Sequence, residues 1–93
     1  MVSIKLDKER YLLRTLRGMK LFEDKTGKSM LRGFDINTLT NDDVIAMLWS
    51  LLIHEDKELT IEQTEELTEQ IDAMEVVQKI IESLGESTAK LNG

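Results

Sequence analysis

The chain has no cysteine, no proline and only four aromatic residues among its 93. Without cysteine it can build neither a disulfide framework nor a thiolate metal site, a composition that suits a reducing compartment. Without proline, glycines and capping residues are left to punctuate its helices. The five glycines are scattered, so no glycine-rich loop exists to cradle a phosphate. No apolar run approaches the ~20 residues that a membrane-spanning helix needs. Nothing at the N-terminus reads as a signal peptide. The expectation is a protein with no membrane partner that stays in the cytoplasm of the cell that makes it.

What is present is ordinary for a globular chain: 41% hydrophobic and 32% charged residues. The length fits one domain, and a core of this size buries only about 60–65% of the unfolded surface. The net charge of −6 is unevenly spread. Residues 1–34 hold nine bases and four acids, a balance of +5, while residues 35–93 hold three bases and fourteen acids, a balance of −11. Such a dipole can be two solvated faces that attract each other within one fold. It can also drive head-to-tail self-association, or docking of the acidic half on a basic partner. Nucleic acid is the weaker partner for the basic third, because no aromatic platform or binding motif accompanies its charges.

Hydrophobic periodicity predicts a mainly α protein. Residues 1–14 read as a short β-hairpin or an extended arm, residues 15–85 as a body of about four helices, and residues 86–93 as a frayed tail. Val2, Ile4 and Leu6 alternate with Ser3 and Lys5 as a strand does, Asp7-Lys8 can turn it, and Tyr11 to Leu13 can return. A first helix is expected from about Thr15 to Thr26, closed by Gly27. Gly18 inside it marks either close packing or a late helix start. The connector from Ser29 to Leu39 is too apolar for a free linker and should lie on the body.

The most telling stretch runs from Thr40 to Thr60. Nine of the ten residues from Val44 to Ile53 are apolar, and the stretch holds the only Trp and the only His. Thr40 with Asp43 spells a capping box, and Thr60 with Gln63 spells it again. A helix apolar on nearly every face must be buried on nearly every side. A third, acidic helix follows to about Ile71, with Ile61, Leu67 and Ile71 as a thin apolar edge. Asp72 and Glu75 repeat the box spacing before a fourth helix with a stripe of Val76, Val77, Ile80, Ile81 and Leu84, which Gly85 is expected to stop. Trp49 is either the largest side chain of the core or, with Met47, Ile53 and Phe34, part of a groove for a partner helix.

Catalytic and metal chemistry find little purchase. Calcium loops starting at Asp35 or Asp56 fail at the glycine position, where Thr40 or Ile61 stands, and at the last ligand, where Ala46 or Leu67 stands. His54 with Glu55, Asp56 and Glu58 offers one imidazole among flexible carboxylates, which is no closed metal site. There is no nucleophile paired with a base. Neither a catalytic residue, a metal nor a cofactor is expected, and the chain reads as a non-enzymatic interaction protein.

Taken together, three segments resemble the tail assembly chaperones of long-tailed bacteriophages, over about residues 11–84. They are the Arg14–Gly27 segment ending in LFEDKTGKS, the TNDDVIAMLWSLLIHEDKELTIEQ stretch, and the acidic ending IDAMEVVQKIIESL. The resemblance implies a helical, non-enzymatic protein of the infected or lysogenic host's cytoplasm. It would coat the tape measure protein, keep that long helical chain soluble, help recruit tail tube protein, and be absent from the mature virion. Such chaperones are often made in two forms, the longer by ribosomal frameshifting, and this chain would be the short one. The family has no catalytic motif to carry over. The expected contact set is Phe34, Met47, Leu48, Trp49, Leu52 and Ile53, facing the client or another copy. Two rivals stand beside it: a small DNA-binding regulator using the basic third, and a structural subunit of a phage particle.

Overall fold

A computed structural model describes residues 1–30 and 36–92, with side-chain surroundings for 1–30 and 37–85. The architecture is mainly α: four helices and an N-terminal two-stranded hairpin. Strand β1 (Ser3–Lys5) pairs antiparallel with β2 (Glu9–Tyr11), with Ile4 opposite Arg10. Alternation turns Ile4 into the core and Lys5 outward. The connecting loop is fastened by Asp7, whose carboxylate accepts from Arg10 Nε at 2.8 Å and Nη2 at 2.9 Å. These bonds pull the Asp7 pKa from 3.8 down to about 2 and raise that of Arg10. They also satisfy a guanidinium that is buried in the fold.

The second strand lies two residues earlier than Tyr11–Leu13, because Leu13 leaves the ladder for α2 (Asn41–Leu52). Its N–H donates to the Leu51 carbonyl at 3.0 Å. That carbonyl belongs to the last turn of the helix, where no intrahelical donor remains.

Helix α1 (Leu16–Thr26) starts at the Thr15 cap, whose hydroxyl accepts from the Gly18 N–H at 2.9 Å. It ends at Gly27, which takes φ 76° and donates to the Glu23 carbonyl at 2.8 Å. Gly18 is a packing residue. A Cβ there would collide with the Ser50 carbonyl oxygen and stand 3.1 Å from Thr15 Oγ1, so the two helix backbones meet at this point.

A 3₁₀ turn (Ile36–Thr38) leads into α2, which has the full capping box: Thr40 Oγ1 accepts from the Asp43 N–H at 3.1 Å and Asp43 Oδ2 from the Thr40 N–H at 3.0 Å. Lys28 Nζ sits 2.9 Å from Asp43 Oδ2, tying the end of α1 to the start of α2 and joining the basic and acidic halves. The lysine bond, then the Thr40 N–H, hold the Asp43 carboxyl below its ordinary value. Of the connector, Met30 is buried and Leu39 packs on the core, as expected of a segment lying on the body.

Helix α2 is the axis of the fold. Every residue from Ala46 to Ile53 is buried, because α1, α3 (Ile61–Leu67), α4 (Ala73–Asn92) and β2 all pack on it. Among the described elements, α1 packs on α2, and β1 packs on α4.

Two expected helix boundaries are also corrected. Helix α3 stops at Leu67 rather than near Ile71. The Thr68 hydroxyl donates to the Glu65 carbonyl at 2.7 Å, and the Glu69 and Ile71 N–H groups donate three residues back, so the chain tightens into turns. Gly85 does not stop α4, which continues to Asn92. Only Gly27 takes a positive φ among the described residues, and an exposed glycine that keeps a helical φ costs a helix about 1 kcal/mol without ending it.

Candidate functional site

The expected contact set does not form a surface. Met47, Leu48, Leu52, Ile53 and Trp49 are all core residues, the last only 8% exposed. Phe34 lies outside the described residues. The correction has a plain cause. The four elements that pack on α2 wrap its last two turns completely, so the apolar breadth of this helix is consumed by the domain itself. Trp49 is a strut: its Nε1 donates to the Leu59 carbonyl at 2.7 Å, pinning the loop between α2 and α3. Ser50, the one polar residue of the run, gives its hydroxyl to the Met47 carbonyl at 2.7 Å.

His54 is also structural. Its Nε2 lies 2.8 Å from the Tyr11 carbonyl, while Glu55 Oε1 accepts from the Tyr11 N–H at 3.0 Å. The acidic turn after α2 thus plugs the open edge of β2, where an unpaired strand would otherwise be offered to another chain. Among the described residues, no three His, Cys, Asp or Glu side chains gather in a way that could hold a metal ion. No helix among them is long and apolar enough to cross a membrane.

The surface that remains open is on the other flank of α2, at its capped end. Val44 and Ile45 are only partly covered, and they face Ile71, Val76 and Val77 across a depression of about 170 Å³ floored by Leu48. A second depression of about 180 Å³ shares Val44 and Val77 and runs on over Met47 towards Leu39 and Ile80. The two are therefore one apolar groove between the first half of α2 and α4. Among the described residues, no lysine or arginine lines it.

Helix α4 carries two apolar rows. Val76, Ile80 and Ser83 form the buried face, at spacings of four and three. Met74, Val77 and Ile81 form a second row beside it, with Met74 68% exposed and Ile81 48% exposed. Four exposed acids, Asp42, Glu69, Asp72 and Glu75, neighbour lining residues in sequence, so this part of the chain is acidic. The chemistry on offer is shape, apolar area and negative charge, which suits a protein segment with an apolar stripe and basic flanks.

Sequence reasoning missed this groove because it credited the surplus of apolar residues to α2. The signal was present in α4, whose five apolar residues between Val76 and Leu84 are more than one stripe of a short helix requires.

Comparison with protein-family models, with curated proteins and with solved structures returns no significant match to this chain.

Proposed function

We propose that this protein is a non-enzymatic chaperone of phage tail assembly, which holds a helical segment of the tape measure protein in the groove between α2 and α4. The observation that carries the reading is that groove: an open, mostly apolar trough between α2 and α4, in an acidic part of the chain, with Met74 and Ile81 exposed on α4. A chaperone for a long helical client needs apolar surface that accepts many sequences and enough charge to keep the complex in solution. The groove supplies the first and the acidic half supplies the second. Recruitment of tail tube protein belongs to the same proposal, as does a place in the host cytoplasm rather than the finished particle. The resemblance of the LFEDKTGKS, TNDDVIAMLWSLLIHEDKELT and IDAMEVVQKIIESL segments to such chaperones supports it.

The DNA-binding alternative gains nothing from the fold. Arg10 is buried against Asp7 and Lys28 is paired with Asp43, so two of the bases counted towards a basic face are engaged within the domain.

Co-expression with the tape measure protein of the same genome, followed by size exclusion with light scattering, tests the proposal. A soluble complex carrying several copies per client is expected. An insoluble client beside a lone small protein contradicts it.

A further inference from the structure

The charge asymmetry of the sequence survives in the fold. Residues 1–30 carry eight bases and four acids, whereas residues 61–85 carry seven acids and only Lys79. Helix α1 packs on α2 rather than on α3 or α4, while β1, from the same basic region, packs on α4. The exposed Arg17 and Lys20 of α1 and the exposed acids of α3 and α4 thus stand on the surface of one chain.

The basic edge also carries apolar surface. Leu16, the first residue of α1, is 77% exposed, and Leu13 just before it is exposed as well. Lys20 lies one turn on from Leu16, Arg14 and Arg17 flank it, and Glu23 closes that face a further turn along. An exposed leucine among cations complements an apolar groove in an acidic part of the chain in hydropathy and charge.

We propose that copies of this chain associate head to tail, with the Leu16–Lys20 edge of α1 on one copy seated in the α2–α4 groove of the next. The inference does not rest on the chaperone reading, since both surfaces belong to this chain. The two patches differ, so the contact is heterologous. Each added copy leaves one free edge and one free groove, and assembly is open-ended. A single helix edge buries less than a standard interface, so assembly appears only at high concentration. A client helix and a second copy compete for the same groove.

Sedimentation velocity of the full chain across a concentration series tests this, using two variants altered only at exposed positions. Leu16→Glu with Lys20→Glu removes the edge; Met74→Lys with Ile81→Lys spoils the groove. The wild type is expected to grow beyond a dimer as concentration rises, and to need roughly tenfold higher concentration at about 0.5 M salt, where charges are screened beyond a few ångströms. Each variant alone stays monomeric with an unchanged circular dichroism spectrum. An equimolar mixture of the two forms a dimer and nothing larger, because one intact edge meets one intact groove. A wild type that stays monomeric throughout overturns the proposal. So do variants that assemble like wild type, and a mixture that stays monomeric.

Discussion

The Ser50 carbonyl oxygen stands where a Cβ on Gly18 would have to go, so α1 and α2 touch backbone to backbone at their crossing. Gly18→Ala should therefore destabilise the protein by about 1–3 kcal/mol through overpacking, even though alanine is the better helix former by about 1 kcal/mol. Gly85→Ala is the internal control. Among the described residues nothing lies within 4 Å of the Cβ it would add, and the change should stabilise α4 by about 0.5–1 kcal/mol. Urea melts of both variants read the two effects with opposite signs.

Trp49 separates packing from partner contact. Trp49→Ala should cost about 3–5 kcal/mol, which is a large part of the stability of so small a domain. Trp49→Phe keeps most of the volume but leaves the buried Leu59 carbonyl without its donor, and should cost about 1–3 kcal/mol. Both effects should appear as lost folding in a denaturant melt. A folded Trp49→Ala variant that merely fails to bind would restore the contact role that the buried position argues against.

The hairpin loop sets the acid response. Asp7 titrates at about 2 in the folded chain against 3.8 ordinarily, mainly because Arg10 hydrogen-bonds to it. Its folded pKa is depressed, so its contribution is fully present above the ordinary value and is lost as pH falls through the interval down to about 2. Water reaches Asp7, so the contribution is modest. Asp7→Asn should lower stability by roughly 1 kcal/mol at neutral pH and flatten the stability curve between the two pKa values. Melts from neutral to acid pH, compared with wild type, measure this. Asp43, depressed by Lys28, adds to the same acid-side loss with the same sign.

Much of the fold was legible in the sequence because it was set locally. Thr40/Asp43 and Thr60/Gln63 are cap pairs whose bonding partners lie three residues apart, and both boxes form as spelled. Gly27 ends α1 because the left-handed conformation there suits a residue without Cβ. The alternation of Val2 to Leu6 was enough to place β1. What local pattern could not show was which apolar face each neighbour covers. The wrapping of Ala46–Ile53 depends on α1, α3, α4 and β2 arriving together, and the exposure of Val44, Ile45 and Val77 is what remains after that wrapping. The Gly85 position shows the same limit: a glycine stops a helix only where the chain has somewhere else to go.

The docking of the hairpin depends on two side chains from the turn after α2. Glu55→Ala removes the acceptor of the Tyr11 N–H, and His54→Ala removes the partner of the Tyr11 carbonyl. Either change should speed hydrogen exchange at Tyr11 and Leu13 by roughly tenfold, while amides of α2 keep their protection. Equal exchange in variant and wild type would mean that Ile4 and Leu12, buried in the core, hold the hairpin by themselves.

The central claim is that the α2–α4 groove receives a helical client. Methyl spectra of the dilute chain, titrated with a helical segment of the tape measure protein, test it most directly. The account predicts shifts at Val44, Ile45, Ile71, Val77 and Ile81, with Val2 and Ile4 of the hairpin unmoved. A complex that forms while those groove methyls stay still, or that moves only the hairpin, would contradict it.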